Sequence, residues 1–259
     1  MAGSQIERAL SLLESLTQEP QGLQMQSLAD ALNIPKSATH RMLAELIRLG
    51  YVRQNPDNSR YQLSTKLVAL SFRYLSNAGS DVVQSILDRL AEECGELVRL
   101  GVIDGDRLTW ISKAQGAKGG LRYDPDMGRD APLFYTASGH AWLASMDDAS
   151  ALALVEQQGP VLDPQQLGPN APRDAADLLG YLQRARQLGY AWVEQSSAIG
   201  TSALAAVVLS PDHGRCIGVL SIAGPSARLD EPRIQALAQQ LLAAAQELSA
   251  TSPASEFFP

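Results

Sequence analysis

Residues 28–50 can satisfy their apolar and polar side chains in very few folds. The run LADAL puts Leu28, Ala29 and Leu32 on one face of a short helix, with Ser27 just ahead of it as the expected N-cap. Asn33-Ile34 makes a turn, and Pro35 suits the first position of a second helix, where its missing N–H is no loss. That second helix is predicted to run to Leu49 and stop at Gly50, a residue able to take the left-handed conformation of a helix end. At about 3.6 residues per turn, Ala38, Met42, Leu46 and Leu49 share one face, with Leu43 beside them. Ser37, His40, Arg41, Ala44 and Arg48 lie on the opposite arc. One face packs; the other presents donors, most of them in the first two turns. A helix of this design enters the major groove with its N-terminal residues at base edges.

The flanks fit the same unit. Ile6, Leu10, Leu13 and Leu16 predict an amphipathic helix over residues 4–17, which EPQG ends. Residues 51–54 and 60–63 read as short strands around the turn Asn55-Pro56-Asp57-Asn58-Ser59, so three helices and a β-hairpin make a winged helix-turn-helix over residues 1–64. Arg41 can offer a bidentate fork to guanine, and Ser37 or His40 can bond a base or a phosphate. Lys36, with Arg53 or Arg60 on the wing, is better placed for phosphate. Ser27 and Thr39 complete the candidate DNA-contacting set.

A net charge of −7 argues against nucleic acid until its distribution is considered. Residues 1–66 hold seven Lys/Arg against six Asp/Glu, and the remainder fourteen against twenty-two. Phosphate contact is governed by nearby charge because salt screens the rest, so DNA binding is expected to be salt-dependent and confined to the first unit. A winged helix can also dock a protein, and that alternative stays open here.

Residues 65–76 are again helical and, with Ala78-Gly79-Ser80 as the boundary, form a linker over 65–79. A second pattern occupies 80–250. DVVQSILDRLAEECG is an amphipathic helix, and LVRLGVI and RLTWISKA are strands joined by Asp104-Gly105-Asp106. A short strand is expected at 121–123, helices at 136–145, 147–157 and 174–188, strands near 190–195, 202–209 and 215–223, and a last helix at 231–249. This is an α+β domain on an antiparallel sheet, and residues 251–259 are expected to form a flexible tail.

Enzyme chemistry finds little support. Neither G-x-S-x-G nor H-E-x-x-H occurs, and His40, His140 and His213 fall in different elements. Gly116 to Gly120 lacks the Lys-Ser/Thr of a phosphate loop, and Asp124 and Asp126 have no evident metal-ligand partner. Cys94 and Cys216 match no zinc or redox spacing. No cofactor, metal, signal peptide or membrane span is expected, which points to a cytoplasmic protein.

At this point the residues resemble the IclR family of bacterial transcriptional regulators. The family's Pro-Lys-Ser-Thr-Val-His-Arg-Leu-Leu appears as Pro35-Lys36-Ser37-Ala38-Thr39-His40-Arg41-Met42-Leu43. Residues 133–144 are similar to its Leu-His-Ala-Thr-Ala-Leu-Gly-Lys-Ala segment, and Gly189-Tyr190-Ala191 and residues 221–228 to two further signatures. The resemblance covers nearly the whole chain. It implies a GAF-like effector-binding domain and a homodimer or tetramer that contacts paired half-sites of operator DNA.

Departures from the family pattern fall in the implied pocket. Val193 stands at an acidic position, Ala203 at a Cys and Val207 at a Pro, while Ser221 remains of a serine pair whose second member is Ala223. Lost polar anchors and gained apolar wall point to an organic or aromatic carboxylic acid larger than a two- or three-carbon oxoacid. A repacked core is the bland alternative. The expected effector contacts are Tyr123, Ala137, Ser138, Gly139, Val193, Thr201, Ala203, Ser221 and Ala223, with Arg122 as the charge partner.

Overall fold

The computed structural model describes residues 4–76, 82–125, 127–159, 167–255 and 257–258. The chain divides into two compact units, Met1–Asn77 and Ala78–Pro259. The expected boundary at Ala78-Gly79-Ser80 and the acid Asp126 lie outside the described residues.

In the first unit, α1 (Gln5–Thr17), α2 (Met25–Ala31) and α3 (Lys36–Arg48) precede an antiparallel ribbon of β1 (Val52–Gln54) and β2 (Tyr61–Leu63), and α4 (Lys66–Ser76) follows. Ser4 and Glu7 form a reciprocal capping box at the start of α1. Leu12, Leu16, Leu28, Leu43 and Leu46 meet in one core. The face predicted for α1 is only half right: Ile6 and Leu10 are 74% and 54% exposed, because only the C-terminal half of the helix reaches the core.

Ser27 is not a cap. The helix starts at Met25 with Gln24 as N-cap, which leaves Ser27 exposed within α2. Pro35 is likewise the N-cap of α3 rather than its first residue, and Leu49, expected inside, lies exposed past the helix end.

Gly50 (φ 79°) turns the chain from α3 into the wing, and Tyr51 N–H donates to Leu46 O at 2.9 Å. Gly22 is fixed by space as well as by φ. A Cβ there would lie 2.6 Å from Tyr61 O, where residue 22's neighbour Leu23 adds itself to the ribbon by pairing with Tyr61. Lys66 Nζ donates to Leu49 O at 2.6 Å and sits 4.4 Å from the centre of the Tyr51 ring, tying the start of α4 to the end of α3.

The second unit is a five-stranded antiparallel sheet in the order β4-β3-β7-β6-β5, from β3 (Leu97–Asp104), β4 (Arg107–Gln115), β5 (Ala191–Glu194), β6 (Thr201–Leu209) and β7 (Cys216–Pro225). Side chains alternate across it. Val98, Leu100, Leu204, Ala206, Leu220 and Ile222 face α5 (Val82–Cys94) and α9 (Glu231–Thr251). The other face carries Trp110, Val193, Ala205 and Val219 against α6 (Ala137–Ala144) and α8 (Ala175–Leu188). Helix α7 (Asp148–Gln158) packs beside α6. Among the described residues no helix is long and apolar enough to cross a membrane.

Two expectations fail in this unit. Residues 121–123 form no strand; they run as a loop pinned by Gln115 Nε2 to Tyr123 O (3.1 Å) and by the Lys113–Asp124 ion pair (2.5 Å). The tail is not loose in its described part either. Helix α9 extends to Thr251, a 3-10 turn follows at Ser252–Ala254, and Phe257 and Phe258 pack on the α5/α9 core. The Phe258 ring fills the space that a side chain at Gly218 would need. Two aromatic rings are enough apolar area to hold a short terminus down.

Candidate functional site

The DNA-facing candidates sort by what already holds them. Lys36, Ser37, His40 and Arg41 are exposed along the first two turns of α3. Arg41 makes no hydrogen bond or ion pair among the described residues. Arg48, further along, is committed to Glu45 (2.5 Å), and Arg60 donates to Gly22 O at 3.0 Å as a brace of the wing. The first turn of α3 carries no acidic residue and no side-chain cap; the Ala38 and Thr39 N–H groups donate to Pro35 O (2.9 and 3.0 Å), which leaves those of Lys36 and Ser37 and the positive end of the dipole open to a phosphate.

Thr39 does not belong to this surface. It is fully buried in the unit's core, and its hydroxyl turns back to Pro35 O at 3.2 Å. It occupies an inward position because Thr39, Met42, Leu43 and Leu46 together make the packed stripe of α3. Thr39→Val should therefore leave operator affinity within about twofold of the wild-type value, since only a local backbone-directed bond is lost. A gel-shift titration in which Thr39→Val loses tenfold or more would put Thr39 back in the groove.

In the second unit a cavity of about 630 Å³ opens between the sheet and the start of α6. Of the candidate effector contacts, Tyr123, Ala137, Ser138, Val193, Thr201, Ala203, Ser221 and Ala223 line it. Arg122 and Gly139 do not. Arg122 is exposed in the loop, one residue away from the lining Tyr123. Gly139 is a packing glycine: a Cβ there would lie 2.3 Å from Leu133 O. Thr136 caps the helix by accepting Gly139 N–H at 3.0 Å.

Two arginines line the cavity instead: Arg129, exposed in the loop, and Arg99, the buried one, near the start of β3. Arg99 is 5% exposed and sits over Trp110, with its Cζ 3.8 Å from the ring centre and 6.0 Å from that of Tyr123. Burial pulls the guanidinium pKa down from its ordinary value, while Tyr123 opposes this. A register shift places the indole there. Leu100 pairs with Ser112 but Gly101 pairs with Trp110, so Ile111 is the extra residue of a bulge and Trp110 comes onto the face that carries Arg99. Gly101 makes room for this, since a Cβ would sit 2.9 Å from Leu108 Cδ1. A lone arginine inside the apolar run LVRLGVI was the available signal for Arg99; nothing in the spacing of β4 shows the bulge.

Ser138 Oγ lies 3.4 Å from Trp110 Nε1, and Ser221, paired with Arg99 across the sheet, points its Oγ at Arg99 O, also 3.4 Å away. The lining acids are already partnered: Asp124 with Lys113, and Asp130 with Thr109 Oγ1 (2.6 Å) and Arg107 (3.7 Å). Among the described residues no group of three or more His, Cys, Asp or Glu could hold a metal. Burial raises Cys94 to about 11 and Cys216 to about 12, so neither thiol is a ready nucleophile.

His140 is fully buried in α6, bonded through Nε2 to Phe134 O (2.8 Å) and set against Tyr181. Desolvation depresses its pKa from 6.5 to about 4, the backbone bond opposing only in part. The imidazole is therefore neutral when folded, while the unfolded chain binds the proton first as pH falls. Stability should be full above pH 7 and decline between 6.5 and 4, by about 2 kcal/mol at pH 5. Denaturant midpoints at pH 7 and pH 5 measure this, and His140→Gln should flatten the difference. An unchanged slope in that variant would place the pH dependence elsewhere.

Comparison with known proteins agrees with both units. The IclR helix-turn-helix domain matches residues 5–56, and the bacterial transcriptional regulator IclR C-terminal domain matches residues 74–250. The chain is 29% identical over 248 residues to the HTH-type transcriptional regulator XynR of Escherichia coli, covering 94% of this chain and 95% of that one. An IclR transcriptional regulator from Alicyclobacillus acidocaldarius has the same fold at TM-score 0.79 and 23% identity, over 97% of this chain and all 100% of that one. An IclR homolog from Microbacterium hydrocarbonoxydans, solved with 4-hydroxybenzoate, superposes at TM-score 0.73 and 18% identity, over 95% and 100% of the two chains. With the helix-turn-helix domain matched over the first unit and the C-terminal domain over the second, in that order, this chain belongs to the IclR family of bacterial transcriptional regulators.

Proposed function

We propose that the chain binds operator DNA through α3 and its wing, and that a carboxylic acid with an apolar, aromatic body sets its DNA affinity from the second unit. The cavity carries this reading. At about 630 Å³, with Trp110, Val193, Ala203 and Ala223 in its wall beside the hydroxyls of Ser138 and Ser221, it would leave a two- or three-carbon oxoacid mostly unsupported. The 4-hydroxybenzoate held by the Microbacterium homolog is of the size and type that such a cavity would take.

Operator reading requires two copies. A homodimer or tetramer sets the separation of paired recognition helices to half-sites about 34–36 Å apart or a multiple of that. An effector can change occupancy of DNA only by its differential affinity for the arrangements that fit and do not fit this spacing. The chain that carries the response is α4, which follows the wing directly and precedes the second unit in sequence. Titration calorimetry of benzoate-type acids against pyruvate and glyoxylate tests the effector class. Heat of binding with the aryl acids and none with the oxoacids is expected; a preference for the small oxoacids overturns the assignment.

A further inference from the structure

We infer that Arg99 is the carboxylate anchor of this cavity and that the Ser138 hydroxyl is its second contact, so that the guanidinium selects an anionic ligand over a neutral one of the same shape. The inference rests on the reading of the cavity as an effector site, and adds the residue that decides ligand charge.

Among the described residues Arg99 donates no hydrogen bond and forms no ion pair, and its buried Nε has no partner. An arginine cannot shed its proton to escape such a position, so a buried guanidinium calls for an anion. Stacking on Trp110 offsets part of the burial but leaves the in-plane N–H groups unused, because the indole covers only a face. Neither acid in the lining is free to serve: Asp124 and Asp130 each hold a cation of their own at the cavity rim. The missing partner is therefore external.

The geometry also fixes what kind of anion fits. Ser138 accepts from the Trp110 indole N–H, which leaves its own O–H to donate, and Arg99 and Ser138 thus address the same indole from its face and its edge. A planar carboxylate matches the guanidinium fork, and an aromatic body attached to it extends along the apolar wall of Val193, Ala203 and Ala223. Arg122, the charge expected from sequence, is solvated and lies outside the lining.

Calorimetry with 4-hydroxybenzoate and its neutral isostere 4-hydroxybenzamide tests this on the full chain. Wild type should bind the acid at least about tenfold tighter than the amide. Arg99→Gln should weaken the acid by about 10- to 100-fold and leave the amide nearly unchanged, and Arg99→Lys should keep part of the preference because charge remains without the fork. If wild type prefers the acid and Arg99→Gln keeps that preference, the anchor is overturned while the aryl-acid reading stands. If wild type binds neither, the aryl-acid reading fails, and a ligand-free measurement still judges Arg99. An unpaired buried charge predicts that Arg99→Met melts about 2–4 °C higher than wild type. A fall in Tm of that size would instead mark a structural arginine and overturn the inference.

Discussion

Arg41→Ala should weaken operator binding on the order of 10² to 10⁴-fold while leaving effector affinity unchanged. A bidentate base contact contributes about 1–3 kcal/mol at each recognition helix, and paired half-sites engage two. Arg41 is the side chain best able to make that contact. It is exposed in the second turn of α3 and uncommitted among the described residues, whereas Arg48 is paired with Glu45 and Arg60 braces Gly22. The loss should concentrate at one base position of each half-site. Lys36→Ala should behave differently, lowering affinity on every sequence alike and reducing the salt slope by about one phosphate contact per helix. Binding of the operator by Arg41→Ala at wild-type strength would remove α3 as the reading helix.

Gly139→Ala should damage the second unit more than any single-methyl change elsewhere in α6. The added Cβ would lie 2.3 Å from Leu133 O and 2.4 Å from Leu133 Cα, both backbone atoms. That strand of chain cannot retreat. Gln158 holds it from the far side by accepting Leu133 N–H at 2.8 Å and donating to Ala131 O at 2.9 Å, and the Leu133 side chain is wholly buried. Helix α6 must shift, and Ala137 and Ser138 leave the cavity with it. Overpacking of this kind costs about 1–3 kcal/mol or more, or roughly 2–4 °C in Tm for each kcal/mol. Effector affinity should fall with stability. An unaltered melting curve together with unaltered ligand affinity would contradict the packing role assigned to Gly139.

Much of this architecture is legible in residue spacing. The polar arc of α3, the Gly50 stop, the β3–β4 hairpin at Gly105 and the antiparallel sheet all follow from periodicity and turn chemistry acting over a few neighbours. The resemblance to the family picked out residues from separate strands and a helix that the fold brings together around one cavity. The failures share a cause, which is that burial depends on partners distant in sequence. Ile6 and Leu10 have helical spacing but no core to reach, and Thr39 has a groove-like residue type but an inward azimuth. Phe257 and Phe258 sit in a tail of turn-forming residues yet find an apolar face to cover. Arg122, the charge partner expected from sequence, lies outside the cavity lining, whereas Arg99 lines it from within an apolar strand, where a one-residue bulge in β4 brings Trp110 onto the same face.

The coupling between the two units is the core of this account, and one binding experiment addresses it directly. Fluorescence anisotropy would follow labelled DNA from upstream of the chain's own gene, at two salt concentrations, with and without saturating 4-hydroxybenzoate. The expected result is tight binding at low salt, steep loss at high salt, and a midpoint displaced by the acid in wild type but much less in Arg99→Gln at the same acid concentration. DNA binding that ignores a ligand shown by calorimetry to be bound, or no DNA binding at low salt by folded protein, would contradict it.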